Sequence, residues 1–566
     1  MLKRIKLLLI CTIAAVLVTG YFLMKPSPNT ERVTVQWEKP TLFYQGEKWE
    51  DAIQGSAASL SISMAWLREH VDSYLHYEKE SGTVVITTTG KVLNLQTEQW
   101  SARMNDQPIE LAFPVQVKED RVYIPVAPIT ELYQIKVEET ESGAVHLYKQ
   151  GDVHNWGQSA AEESDGTVPV RTEAGIQYPI LYDLKPNEEV RLWNEKPEDG
   201  WYRVQTPNGL MGYMAEDDLR WTREEIVQAT NGQADSSSDP PVVKKPLAEK
   251  VNLTWEHVYR TNPDTTQITP MPGVNVISPT WFSIGDYEGN LSNKADTAYV
   301  NWAHEQDYQV WALFSNDFTD PDKTSTVLAQ HETRMKMIRQ LVAFAELYKL
   351  DGINLDFENV YLKDRDLLTQ FVRELTPMLH EQGLVVSMDV TVRSNSEMWS
   401  KFYDRRALSE TLDYMIVMTY DEHWASSPKA GSVASIPWVE RGIAGILTFD
   451  QVPPSKLILG IPLYTRVWTE EEVDGKVEVS SKAVGMETVL NTIREKELTP
   501  VYLDDVGQHY VEYEEDGSRK RIWMEDHRSI VNRIEMVKKY DLAGVATWRR
   551  GFETADIWPL IEEHLN

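Results

Sequence analysis

The sequence predicts a multidomain protein whose C-terminal part is a (β/α)8 barrel. A small α+β domain, a small β barrel and an N-terminal transmembrane segment precede it. Three observations predict this. The chain has 566 residues, too many for one ordinary domain. From Val251 onward apolar strands alternate with amphipathic helices through eight repeats, which is more consistent with a closed barrel than with an open doubly wound sheet. Near the start, an uncharged apolar run stretches from Leu7 to Met24.

That run follows Lys3, Arg4 and Lys6 and ends at Lys25 and Pro26. It is long for a signal-peptide core and just long enough to span a bilayer. Tyr21, Phe22, Leu23 and Met24 follow Gly20, so no small-x-small cleavage site is evident. Residues 1–30 therefore read as a membrane anchor, with a cleaved signal segment as the alternative. The basic flank stays in the cytoplasm and everything after residue 25 lies outside. The expected localisation is extracytoplasmic, anchored to the membrane or secreted to the cell wall. The single cysteine, Cys11, falls inside the run, which excludes disulfides and cysteine metal sites in the exported part.

Composition narrows the class further. A hydrophobic content of 42% and a charged content of 25% are globular values. The net charge of −31 argues against nucleic acid, which is bound chiefly through Lys and Arg.

Residues 31–150 read as short strands with one helix. Ser61, Met64, Leu67 and Val71 have helical spacing, Val84 to Thr88 is β-rich, and Asn105-Asp106-Gln107-Pro108 has turn chemistry before the strand Val122 to Val126. The NDQPIEL and VYIPV stretches resemble the domain named after the N-terminus of copper amine oxidases. No histidine cluster accompanies them, so no copper is expected. Residues 166–221 show strands at short spacing with Gly and Pro between them. The DGWYRVQTPNGLMGYM pattern resembles a bacterial SH3-type domain, and the resemblance implies binding to the cell wall. Trp193, Trp201 and Tyr213 would line a groove there or simply fill a small core. Residues 222–250, with Asn231 to Pro241 polar and turn-prone, read as a linker.

Within 251–566, strands start near Val251, Val274, Gln309, Gly352, Leu384, Tyr414, Leu457 and Ala543. The clearest helix runs from Ser325 to Lys349, with Val327, Met335, Ile338, Leu341, Val342 and Ala345 on its apolar side. Tyr510 to Trp523, centred on Asp516-Gly517, reads as a hairpin inserted before the last repeat.

The chemistry concentrates in Asp351-Gly352-Ile353-Asn354-Leu355-Asp356-Phe357-Glu358-Asn359. Ile353, Leu355 and Phe357 alternate with polar residues, so Asn354, Asp356 and Glu358 share one face of a strand. Three polar side chains toward a barrel interior must bond one another or a ligand. Glu358 comes last, at the C-terminal mouth where barrel active sites lie. Asp351 has the opposite parity and belongs at the strand entrance.

This segment resembles the DGxDxDxE signature of glycoside hydrolase family 18, the chitinase family, with Asn354 in place of the middle Asp. The variant is similar to that of spore cortex-lytic N-acetylglucosaminidases. The resemblance implies a retaining, substrate-assisted glycosidase, in which the substrate's acetamido oxygen attacks the anomeric carbon. Glu358 would protonate the leaving oxygen and then activate water, and Asp356 would orient the acetamido group. Like charge from Asp356 would keep Glu358 protonated. The segment Met415 to Asp421 matches the family's MxYD pattern. It implies that Tyr420 donates to the acetamido carbonyl, that Asp421 supports it, and that Met418 lines the site. The eighth strand, ending at Trp548, places that indole as a floor for the sugar ring.

Asp389, Trp424, Tyr464 and Arg466 are further candidates for sugar contact, with packing or salt bridges as the alternative. His423 lacks a second ligand at metal spacing, so no metal and no cofactor are expected. The resemblance implies cleavage of β-1,4 bonds in N-acetylglucosamine polymers of peptidoglycan or chitin type. Ile522 to Ser529 resembles the spore-associated branch and favours peptidoglycan. Two competing readings are a non-catalytic wall-binding protein that uses the barrel as a lectin, and a structural anchor of the cell envelope.

Overall fold

The computed structural model describes residues 27–228 and 247–565, apart from 36, 38, 57, 58, 141, 163–165 and 248. The expected membrane segment, Cys11 and the polar stretch Asn231 to Pro241 lie outside the described residues. Among the described residues, no helix is long and apolar enough to cross a membrane. The chain forms two compact units. Among the described residues, one takes 27–75, 95–102 and 108–228, and the other takes 76–94, 103–107 and 247–565.

In the first unit, the helix expected around Met64 spans Met64–His70 and the strand expected around Val122 spans Arg121–Pro125. The small β domain is a seven-stranded sheet around a core of Val170, Leu184, Val190, Val204 and Met214. The sheet reaches beyond the span 166–221 read from the sequence. The strand Val153–Ser159 pairs with both Glu189–Leu192 and Leu219–Ile226, so the sheet begins earlier and runs on into the expected linker. Leu219–Ile226 is an edge strand exposed along most of its length, and its polar side chains made it read as linker. Trp193 packs beside His154 and Tyr148, with ring centroids 5.2 and 6.4 Å away.

The second unit holds the barrel. Its strands are β1 (Val251–Glu256), β2 (Val276–Ile284), β3 (Gln309–Ser315), β4 (Gly352–Asp356), β5 (Val385–Thr391), β6 (Tyr414–Met418), β7 (Leu457–Pro462) and β8 (Gly544–Trp548). Each pairs in parallel with the next, and β8 pairs with β1, closing the ring. All eight expected strands are present.

Alternation along each strand builds two cores. Ile353, Leu355 and Phe357 face the surrounding helices and are fully buried there. Leu253, Trp255, Trp311, Leu313, Ile416 and Ala546 fill the barrel interior. Gly352 is required at the bottom of β4, because a Cβ there would stand 2.8 Å from the Trp311 indole and 2.7 Å from the Val385 carbonyl.

Two expectations need correction. The helix expected from Ser325 to Lys349 is two helices, Pro321–Ala329 and His331–Tyr348, broken where Gln330 adopts extended backbone. Asp320 caps the first of them, with Pro321 at its first turn. The break is stabilised because Thr333 Oγ1 donates to the Val327 and Gln330 carbonyls and Arg334 Nη1 donates to the Leu328 carbonyl. The insertion before β8 is also larger than the expected hairpin. Gln508–Glu515 and Ser518–Trp523 do pair around Asp516-Gly517. They belong, however, to a five-stranded sheet that starts at Tyr464 and includes the hairpin Tyr464–Val473 with Lys476–Gly485.

Candidate active site

The mouth of the barrel collects polar side chains from several strand ends. Asn354 and Asp356 of β4 point inward, as the alternation requires, and are buried at 0% and 8% exposure. Beneath them Asp351 anchors the entrance of the strand, accepting from His304 Nε2 at 2.7 Å and from the Val310 amide at 2.8 Å. Strand pairing stops at Asp356, so Glu358 sits in the extended segment just beyond, partly buried at the mouth. Two residues absent from the sequence expectations hold that segment. Asn316, just past β3, brackets Glu358: its Oδ1 accepts the Glu358 amide at 2.9 Å and its Nδ2 donates to the Glu358 carbonyl at 2.8 Å. Tyr403 Oη donates to the Phe357 carbonyl at 2.7 Å. Asn359 then turns the chain away in a left-handed conformation, φ 53°.

The electrostatics follow from burial. Glu358 is pushed up to about 7, first by burial and then by the Asp421 carboxylate. The expected like-charge pressure from Asp356 is not the main cause. Asp356 is itself raised well above the carboxylate range by burial, by Glu358 and by Asp389. Asp389 is raised in the same way, chiefly by burial. A carboxyl near 7 can donate and accept a proton at neutral pH, as general acid–base work requires.

Asn354 is the most heavily bonded polar residue of the interior. Its Oδ1 accepts from Trp255 Nε1 at 3.0 Å and Ser278 Oγ at 3.2 Å, while its Nδ2 donates to Ser387 Oγ at 3.0 Å and Asp389 Oδ1 at 2.9 Å. Tyr420 lies just past β6, its hydroxyl raised by burial and then by Asp389, with its ring 6.2 Å from that of Tyr464. Asp421 engages the insertion: Oδ1 accepts from Tyr464 Oη at 2.8 Å and Arg466 Nη2 at 3.4 Å. Met418 is buried at the end of β6.

Two adjoining cavities share His257 and Trp548. One, about 430 Å³, also meets Tyr259, Trp281, Phe318 and Asp356. The other, about 290 Å³, meets Asp421, Tyr464, Arg466 and Phe552. Trp548 stands edge-on to Trp255, with centroids 5.7 Å apart, and so presents a ring between the two. Trp424 is about half exposed, bonds Ser426 through its indole N–H and lines neither cavity. His423 Nδ1 bonds the Ser432 carbonyl. Sequence reasoning missed Asn316, Tyr403, Ser278 and His257. Asn316 and His257 lie just beyond strand ends, where position was the available signal, whereas Ser278 lies within β2 and Tyr403 between β5 and the helix Arg405–Thr411.

Comparisons with known proteins agree with this geometry. Residues 282–553 match the family model "Glycosyl hydrolases family 18", residues 53–147 match "Copper amine oxidase N-terminal domain", and residues 166–220 match "Bacterial SH3 domain". Uncharacterized glycosylase YvbX of Bacillus subtilis (strain 168) is 26% identical over 302 residues, 51% of this chain and 84% of that protein. The cortical fragment-lytic enzyme of Bacillus anthracis is 26% identical over 288 residues, 49% of this chain and 65% of that enzyme. A solved C-terminal domain from Desulfitobacterium hafniense DCB-2 superposes with TM-score 0.51 at 27% identity, over 56% of this chain and 100% of that one. A chitinase structure from Chromobacterium violaceum shares the fold, with TM-score 0.50 and 24% identity over 56% of this chain and 99% of that one. The polar row of β4, the carboxyl held near 7 at the barrel mouth and these matches converge: residues 282–553 of the barrel match glycosyl hydrolase family 18, and the chain is a glycosidase.

Proposed function

We propose that this glycosidase cleaves β-1,4 bonds in N-acetylglucosamine-containing polymers of the peptidoglycan type, outside the cytoplasm, by a retaining, substrate-assisted mechanism. The observation behind the reading is Glu358, a carboxyl poised at about 7 just past the strand that carries Asn354 and Asp356, and near enough to Asp356 to raise it. In the first step Glu358 donates its proton to the leaving glycosidic oxygen while the substrate's acetamido oxygen bonds to the anomeric carbon. In the second, the Glu358 carboxylate takes a proton from water, and that water opens the oxazolinium ion. Asp356 faces the acetamido nitrogen, Tyr420 donates to its carbonyl, and Trp548 stacks on the ring between the two cavities. Asn354, Met418 and Asp421 shape the site around them.

The bacterial SH3 domain and the relatives described as cortical fragment-lytic enzymes support a wall polymer over crystalline chitin. The basic-flanked apolar run of residues 7–24 supports membrane anchoring with the barrel outside.

The test compares wild type with Glu358→Gln on purified peptidoglycan and on chito-oligosaccharides, reading products by mass spectrometry and the new anomeric centre by NMR. The expected result is new N-acetylglucosamine reducing ends, initially β, formed only by wild type. New ends on N-acetylmuramic acid, inversion at the anomeric carbon, or equal activity of both proteins would each overturn a stated part. Binding of either polymer without turnover would favour the lectin reading. The N-terminal residue of the protein isolated from cells reports whether the apolar run is retained.

A further inference from the structure

The barrel interior holds a third carboxylate for which the proposed mechanism has no task. Asp389 lies on β5 with 1% exposure, and it is the register partner of Asp356 on β4. In-register residues on adjacent parallel strands face the same way, so the two carboxyls stand side by side within the barrel. One layer below, Asn354 pairs in register with Ser387 and donates to both the Ser387 hydroxyl and the Asp389 carboxyl. Its oxygen already accepts from Trp255 and Ser278. With all four positions used, the Asn354 amide can neither carry charge nor exchange a proton. The negative charge that the DGxDxDxE pattern would place at position 354 is therefore found one strand over.

We infer that Asp389 is the inner positioning carboxylate of this site, supplying from β5 the acid that Asn354 lacks on β4 and setting the charge and orientation of Asp356. Asp356 Oδ1 is buried and makes no hydrogen bond to the described residues, so its neighbour's protonation decides which oxygen it turns toward the substrate. Two adjacent buried carboxyls do not both ionise near neutrality. A single proton held between them leaves one charge to face the acetamido nitrogen and one neutral acid beside it. The other groups that bear on Asp389 are Glu358 just past β4, Trp255 from β1, Tyr403 after β5 and Tyr420 after β6. Arg405 stacks on the Tyr403 ring at 5.0 Å, as the nearest cation behind that tyrosine. This inference rests on the function proposed above.

The experiment uses the full chain with three substitutions: Asp389→Asn, Asn354→Asp and the two together. Asparagine at 389 can still accept from Asn354, so the hydrogen bond survives while the acid is lost. Asp389→Asn is expected to lower kcat about 100-fold, with KM changed by less than about threefold. It should also move the acid limb of the pH–rate profile to lower pH, because Asp356 then ionises without a like-charged neighbour. The double variant returns the acid to β4 and should recover kcat to within about tenfold of wild type. A folded but inactive Asp389→Asn beside an equally inactive double variant would overturn the assignment, as would wild-type kcat and an unmoved acid limb in Asp389→Asn.

Thermal melting gives a readout independent of substrate. An acid raised by burial favours folding below its unfolded pKa, and that contribution is lost as pH rises through the folded value. Asp389→Asn should therefore flatten the fall in Tm as pH rises above the ordinary aspartate range of about 4. An unchanged Tm profile would overturn the inference even if no substrate is turned over. Wild type inactive on every polymer, with the flattened profile present, would instead sink the proposed function and leave the carboxylate pair standing.

Discussion

Two buried carboxylate clusters in the same barrel behave in opposite ways. On the outer wall, between His331–Tyr348 and Arg365–His380, Glu374 is completely buried and faces Arg334, which is also completely buried. Arg334 Nη2 donates to Glu374 Oε1 at 2.9 Å, Gln370 Nε2 donates to the same oxygen at 2.9 Å, and His331 Nδ1 lies 3.6 Å from Oε2. Burial pushes Glu374 up, but Arg334 and His331 outweigh it and bring it down to about 2. At the mouth, Glu358 is partly buried near the Asp421 carboxylate and rises to about 7. Glu525 lies between them. Burial raises it, one cation, Arg533, opposes that rise, and it settles at about 6. Burial pushes the carboxyl up in each place, and the neighbouring charges decide the outcome. Glu374 is held ionised at neutral pH and is structural, whereas Glu358 is poised for proton transfer because, among the described residues, no cation is bonded to its carboxyl.

The largest test of this contrast removes the poised proton. Glu358→Gln should lower kcat by about 10³-fold while leaving the folded state at least as stable, since a buried acid is replaced by a neutral isostere. Steady-state kinetics paired with denaturant titration reads both effects. A comparable loss of stability would mean that the mouth carboxyl is structural after all.

Next in size is the wall. Arg334→Met leaves Glu374 buried without its main cation and should destabilise the barrel by about 3–5 kcal/mol. Arg334→Met with Glu374→Leu should recover most of that loss, measured by urea midpoints at constant slope. If the double variant is no better than the single, the pair is not the source of the effect.

Asn316→Ala should come third. It frees the backbone on both sides of Glu358 and should cost about tenfold in kcat with little change in KM, because the acid is displaced from its line of attack. Asn316 also donates to Thr324 Oγ1 at 3.0 Å, so a stability loss of about 1 kcal/mol is expected alongside.

The smallest effect is the opposite pH signature of the two clusters. Glu358, raised, stabilises the fold below its unfolded pKa, and that contribution disappears as pH rises through about 7. Glu374, lowered, stabilises the fold above its unfolded pKa, and that contribution disappears as pH falls through about 2. Tm should therefore be raised by Glu358→Gln as pH climbs toward about 7, and lowered by Glu374→Gln at neutral pH, with that second difference vanishing as pH falls toward about 2. The rate of wild type should fall above about pH 7 as the general acid ionises.

Much of this molecule was legible in the chain. All eight barrel strands, the inward placement of Asn354 and Asp356, and the turn at Asp516-Gly517 follow from periodicity and turn chemistry, which are local properties. The earlier half of the insertion was legible in principle, since Asp474-Gly475 has the same left-handed turn as Asp516-Gly517. Its flanking strand Lys476–Gly485 is largely exposed, so its pattern carried little apolar contrast. The break at Gln330 escaped because the apolar spacing runs on through it, and only the bonds from Thr333 and Arg334 make the interruption stable.

What the amino-acid order determined by itself is which residues can do chemistry and which way each strand presents them. Tertiary structure alone decided their ionisation and their partners. Asn316 reaches Glu358 across 42 positions of sequence, Asp389 meets Asn354 across 35, and Arg334 meets Glu374 across 40. A carboxylate's proton affinity is set by the charges within a few ångströms of it, and in a closed barrel those charges come from strands far apart along the chain.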